Sequence, residues 1–340
     1  MSFKRLDPED ISISAESVVT PLWSTNNITL STFFTSSQQV ASTGDYFYRI
    51  YNDNINSIST AIAQMGITYG DKQGSGSAFY NASVPGKTAT STIYGQYRNL
   101  VFGDEDTNFT FQNQTSPYIY VISIDRARYK EKLLPGSFNL TLSGSTMLKL
   151  TDNSSTLTTI SYVDSGRVYD VISGSDGLPW DFNGTSATNG YNANGGSYGK
   201  YLPDVGIIIL NGTALDASAG NGGINLLTSR SNDSDGLNIR RFYNAIAGGQ
   251  NFRSQAEETV SSNYIFVRVR NGEFNYSTNP SNITGSGELR HDVMINTPQA
   301  YLTTVGLYND NNDLLGVAKL SKPLLKDFTK EALVRIKLDY

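Results

Sequence analysis

Residues 301–340 read YLTTVGLYNDNNDLLGVAKLSKPLLKDFTKEALVRIKLDY, and this stretch decides the fold class. Tyr301 to Tyr308 and Asp313 to Leu320 are rich in strand-forming residues. They flank Asn309-Asp310-Asn311-Asn312, a run of turn formers, so the spacing predicts a β-hairpin with a four-residue connection. After Pro323 and the short polar segment Lys326 to Lys330, the side chains alternate. Val334, Ile336, Leu338 and Tyr340 fall on one side, and Arg335, Lys337 and Asp339 on the other. A period of two is that of a half-buried strand, here anchored to the last residue.

Working outward, the same pattern recurs. Tyr264 to Arg270 sets Ile265, Val267 and Val269 against Tyr264, Phe266, Arg268 and Arg270. Val205 to Leu210 is a continuous apolar run that reads as a buried strand, and Asn211-Gly212 after it reads as a tight turn. Tyr118 to Ser123 and Phe138 to Leu142 are strands, with a helical turn expected in RARYKEKLL between them, and residues 144–175 continue as short strands separated by polar clusters. From Ile28 to Tyr51 two strands and a loop fit best. Helical spacing is rarer. Ile239, Phe242, Tyr243 and Ile246 predict a helix that stops at Gly248-Gly249, a second runs through Thr92 to Val101, and Ile55, Ile58, Ile62 and Met65 predict a third over 55–65.

Residues 174–199, GSDGLPWDFNGTSATNGYNANGGSYG, hold almost no aliphatic side chain, so they read as a long surface loop and a contact or boundary element. The chain before Ile28 reads as an extended arm or edge strand, of the kind that orders on docking. The organisation expected is therefore an N-terminal arm over 1–25, a β-rich domain over 26–175, a Gly/Asn-rich loop over 176–200 and a second β-rich domain over 201–340. The fold class is mainly β, with antiparallel sheets arranged as a sandwich or meander, a few short helices and long polar loops.

Composition agrees. Hydrophobic residues make up 38% and charged residues 17% of the 340, so Ser, Thr, Asn and Gly carry the balance, and 21 Tyr with 15 Phe favour strands over helices. The chain has no cysteine, which excludes disulfides, thiolate metal sites and cysteine nucleophiles. No apolar run approaches the length of a membrane span or a signal peptide, so a soluble, unsecreted protein is expected. The net charge of -5 is mild, and the nearest thing to a basic patch, Arg126, Arg128, Lys130 and Lys132, is interleaved with Asp125 and Glu131. A solvated face explains it better than a nucleic-acid surface does. Asn-x-Ser/Thr triplets at Asn27, Asn139 and Asn211 are what an Asn-, Ser- and Thr-rich chain produces by chance.

Few residues suggest chemistry. The single histidine, His291, leaves no multi-histidine metal set, and nothing near it resembles a nucleophile turn. Two acidic groups, Asp104-Glu105-Asp106 and Asp233 with Asp235, are the candidates for the carboxylate pair of a glycosidase; solvated turn residues are the plainer reading, since such a cleft usually brings several tryptophans and this chain has 2. Ser231 to Gly236 has the alternating oxygens of a calcium loop, but its twelfth position is Phe242, so the closing bidentate carboxylate is missing and a cap for the following helix fits better. Gly74-Ser75-Gly76-Ser77 lacks the Gly-Lys-Ser/Thr of a phosphate loop and reads as a linker. The tyrosines read equally as interface anchors or as strand residues with one wet end. No catalytic, cofactor-binding or metal-ligating residue is therefore assigned.

The stretches FKRLDPEDISISAESVVTPLW, DRARYKEKLLPGSFNLTLSG, FNYSTNPS and, above all, TTVGLYNDNNDLLGVAKLSKPLLKDFTKEALVRIKLDY resemble virion structural proteins of contractile-tailed phages, especially those infecting cyanobacteria. The resemblance implies a non-enzymatic tail component, most readily of the baseplate, without cofactor or active site. Its partners would be other virion tail or baseplate proteins and further copies of itself, with no nucleic acid or membrane, in a tail assembled in the host cytoplasm. The alternative is a receptor- or glycan-binding tail or fibre-adaptor protein, and a polysaccharide depolymerase is a third reading.

Overall fold

A computed structural model describes residues 6–21, 28–35, 47–76, 83, 88–104, 106–129, 131–180, 189–192, 196–230 and 237–339. The chain is mainly β, 44% strand and 18% helix, with antiparallel sheets and four short helices among these residues. It divides into two compact units, residues 20–258 and residues 1–19 with 259–340. The 176–200 segment, read from sequence as a divider, lies inside the larger unit.

The larger unit is built on one antiparallel sheet. In hydrogen-bonded order its strands are Ile28–Leu30, Asn251–Ser254, Asn139–Ser143, Met147–Asp152, Gly166–Ser175, Gly199–Leu202, Ile207–Asn211, Tyr118–Ile124, Ala63–Asp71 and Phe47–Tyr51. The two ends of this path are joined by one segment. Leu30 pairs with Phe252 at one end, and Phe34, four residues on, exchanges two backbone hydrogen bonds with Tyr51 at the other, 3.2 and 2.8 Å long. The sheet thus closes on itself, which removes its open edges.

Alternation assigns each strand residue to a face. Tyr118, Tyr120, Ile122 and Ile124 join the main core, while Ile119 and Val121 join a second cluster on the opposite face. This is why YIYVISI is apolar at every position but Ser123: both faces are covered. The inner side is filled by the helix Leu237–Gly249, whose Ile239, Phe242, Ala245 and Ile246 are buried in the main core. Phe242 lies tilted against Tyr120 with ring centroids 4.8 Å apart, and Tyr243 meets Tyr48 at 6.0 Å. The outer side is covered by the helix Ala89–Phe102 and by the hairpin Phe109–Phe111 with Gln114–Ser116, which supply Tyr94, Val101, Phe109 and Phe111.

The smaller unit holds a sheet in which Ile11–Pro21 and Ala332–Asp339 flank Ala256–Val269, and a two-stranded hairpin, Ala300–Tyr308 with Leu314–Lys326. Val267, Val334 and Ile336 form its core, with Leu6, Ile265, Val305, Leu307, Ala318 and Leu320 packed against them.

Four sequence expectations are corrected. Residues 55–65 form no helix. Ile58 N–H and Ser57 N–H both bond Asn54 O, closing one turn, and the apolar period is displayed to solvent, since Ile55, Ile58 and Ile62 are exposed; the strand Ala63–Asp71 begins where the helix was to end. Asn211-Gly212 is not a tight turn but the start of a helix. The Asn211 side chain accepts from Ala214 N–H and caps the short helix Gly212–Asp216. The Gly/Asn-rich stretch is not all surface loop. Ser197 and Tyr198 are fully buried and Gly199–Leu202 is a sheet strand, because Gly199 lets the backbone approach where a Cβ would lie 2.2 Å from Ile209 O. Residues 181–188 and 193–195 of it lie outside the described residues. Finally, the second hairpin strand continues through Pro323 to Lys326. A register shift between Leu302 and Thr304 leaves Pro323 without a ladder partner, so its missing N–H breaks no bond, and Lys326 is buried rather than part of a polar connection.

Candidate interaction surface

The hairpin of the smaller unit is specified locally. Asn309 Oδ1 accepts from Asp313 N–H at 2.8 Å, its amide donates to Asp313 Oδ2 at 2.9 Å, and Asn312 takes the left-handed φ of 64° that asparagine tolerates. Beyond the turn, alternation divides the ribbon. Val305, Leu307, Ala318 and Leu320 face the small core; Tyr301, Tyr308, Leu315 and Val317 face outward, with relative exposures of 66, 41, 70 and 60%.

The far end of the ribbon is pinned by Lys326. Its ammonium donates to Asn271 O at 2.9 Å, Asn275 Oδ1 at 2.7 Å and Asp327 O at 2.9 Å, which uses all three of its protons. Burial lowers its pKa from the ordinary value, with Asp327, Glu273 and Glu331 acting against that shift. At the neighbouring sheet, Arg270 pairs with Asp10 at 2.8 Å and Asp7 at 3.3 Å, and Tyr264 lies under Arg335 at 5.7 Å and Lys337 at 6.0 Å. Leu333 and Phe328 add exposed apolar surface. Among the described residues no strand pairs with the outer edge of Ala332–Asp339 or with the free edges of the hairpin. Apolar faces and unpaired strand edges are the elements by which β proteins recognise one another.

The residues singled out in the sequence are not brought together. His291 is exposed and precedes the short helix Asp292–Asn296, where it makes no side-chain cap. Asp104 caps a turn, accepting from Asp106 and Thr107 N–H, and the Thr107 bonds hold its carboxyl below the usual range. Asp106 is an exposed neighbour. Glu105, Asp233, Asp235 and the whole of Ser231 to Gly236 lie outside the described residues. The Gly74 turn is filled by the chain's own carboxylate. Asp71, fully buried, accepts from Gln73 and Ser75 N–H and pairs with Arg230 at 2.7 Å, so the amides that would hold a phosphate are taken. Ser77 lies outside the described residues. Arg126 bonds Glu131 O and covers the Tyr129 ring, and Lys130 lies outside the described residues. Among the described residues no three acidic or histidine side chains converge as a metal site would require.

Two polar groupings had no sequence signal, because their members are far apart in the chain. Arg167 bonds Asp204 at 2.6 Å and also Glu257, tying three segments of the larger unit together. In the same unit Gln112, Asp170, Tyr191 and Lys200 line a cleft, where burial and then Asp170 push the Tyr191 hydroxyl up to about 12. Six of the largest fully buried side chains are tyrosines, so much of the tyrosine abundance belongs to the core. Comparison with known protein families, with curated proteins and with solved structures finds no match.

Proposed function

We propose that the chain is a non-enzymatic structural component of a contractile phage tail, most readily of the baseplate, that acts through protein–protein interfaces. The observation that carries this reading is the outward face of the Ala300–Tyr308 and Leu314–Lys326 hairpin. It bears Tyr301, Tyr308, Leu315 and Val317 on a ribbon whose strands are unpaired on their free edges among the described residues. A two-stranded ribbon is marginal alone, and an apolar face of this kind favours cover by a neighbouring subunit. The stretch that forms it is the one whose sequence most resembles virion structural proteins. The partners are accordingly other tail or baseplate proteins and further copies of this chain, in the virion.

The test is a cryo-EM map of purified virions together with a Leu315→Asp/Val317→Asp variant. The expected result is density for the chain in the tail with the hairpin face covered, and a variant that folds with unchanged melting but is not incorporated. Absence of the chain from the particle, or normal incorporation of the variant, overturns the proposal.

A further inference from the structure

The larger unit carries a polar cleft of about 340 Å³. Its position follows from strand alternation. Tyr169, Val171 and Tyr201 point into the main core, so Asp170 and Lys200, directly opposite each other on paired strands, point out of it. The turn of the hairpin Phe109–Phe111 with Gln114–Ser116 brings Gln112 over the pair, and Tyr191 arrives from the Gly/Asn-rich segment. Gln112 Nε2 donates to Asp170 Oδ2 and to the Tyr191 hydroxyl at 3.1 Å; Tyr191 donates to Asp170 Oδ2 at 3.2 Å. Asn153 Oδ1 accepts from Asp170 N–H at 3.0 Å, which fixes the strand beneath.

The Lys200 ammonium stands apart from this network. It lines the cleft, is partly buried, and among the described residues has no hydrogen bond or ion pair; Asp170 supplies the opposing charge it senses. A partly desolvated ammonium favours an oxygen acceptor, and the cleft has room for one. Asp170, an acceptor, lies beside it, with Ser161 on the rim and Leu157 and Val168 as apolar walls. A hydroxyl group is donor and acceptor at once, so adjacent hydroxyls satisfy a carboxylate and an ammonium together, and the C–H face of a sugar ring suits the apolar walls. A phosphate fits poorly, because Asp170 repels it and a single lysine opposes that repulsion.

We propose that this cleft binds one neutral hexose unit, with Asp170 accepting from its hydroxyls and Lys200 donating to a further oxygen. The inference stands apart from the assembly role, since a tail subunit without sugar affinity and a sugar binder outside the tail are separable results.

Saturation-transfer NMR of the full chain with glucose, galactose or mannose at about 50 mM tests it. The expected result is transfer to at least one hexose, weakened about tenfold or more by Lys200→Met and by Asp170→Asn, and unchanged by Lys149→Met elsewhere on the surface. Thermal melts confirm that each variant is folded; if Lys200→Met is not, Asp170→Asn and Gln112→Ala decide. No transfer to any of the three sugars, transfer that survives the folded variants, or displacement of the sugar by equimolar inorganic phosphate overturns the proposal.

Discussion

Arg167 joins the Gly166–Ser175 strand to Asp204 and to Glu257, whose side chain is 2% exposed. Burial by itself lowers the Arg167 pKa, but the bonds to its two carboxylates more than offset this and hold it charged. Replacing it by methionine leaves a buried carboxylate unpaired, and is expected to cost about 3–5 kcal/mol in urea denaturation. Adding Glu257→Gln to that variant restores part of the loss, because the buried charge is gone; an equal or greater loss in the double variant contradicts the account. The same grouping sets an acid response. Burial raises the Asp204 carboxyl, but the Arg167 bonds outweigh it and leave the pKa below the usual 3.8. A lowered carboxyl contributes stability that is complete above the unfolded value and is lost as pH falls through the folded one. The stability gap between wild type and Asp204→Asn should therefore be constant above about pH 5 and close below about pH 4, as read from urea midpoints. Asp152 has the opposite sign: burial raises it, so acidification relieves its penalty.

Among elements, the terminal strand Ala332–Asp339 was legible from its alternation, and the structure buries Val334 and Ile336 as that pattern requires, together with Ala332, whereas Leu338 on the same side is exposed and Tyr340 lies outside the described residues. Each large side chain buried this way contributes about 1.5–3 kcal/mol, a large share of the stability of a small unit. Deleting residues from Ala332 onward should abolish cooperative melting of the smaller unit; a truncation in which Ile265 and Val267 amides keep slow hydrogen exchange contradicts this. The helices Ala89–Phe102 and Leu237–Gly249 were legible for a similar reason, their helical spacing; the first ends at a left-handed Gly103, while the second runs through Gly248-Gly249 and the left-handed residue is Gln250. The 55–65 segment misled because periodicity reports spacing and not burial, and its isoleucines face water. Asn211-Gly212 misled because the same dipeptide serves a hairpin or a helix start, and only the burial of the following turn decides.

For the whole molecule, mainly-β architecture follows from composition and strand patterning, but the closure of the large sheet does not. Closure depends on Phe34 meeting Tyr51 while Leu30 meets Phe252, contacts separated by very different stretches of chain. No local pattern encodes which distant edges join. The cleft of Asp170 and Lys200 is hidden for the same reason, since Gln112, Asp170 and Tyr191 are neighbours only after three segments fold over one another.

The smaller unit joins residues 1–19 with residues 259–340, which are separated in the chain by the residues of the larger unit. During synthesis its first strand leaves the ribosome before most of the larger unit does, and its partner strands leave after it. The larger unit, with residues 20–258, is free to fold on emergence, whereas the smaller one waits for residues 259–340. Its hairpin face and its free strand edges come into existence together, after the larger unit has emerged. Until then the exposed ribbon of Tyr301, Tyr308, Leu315 and Val317 does not exist for another chain to meet.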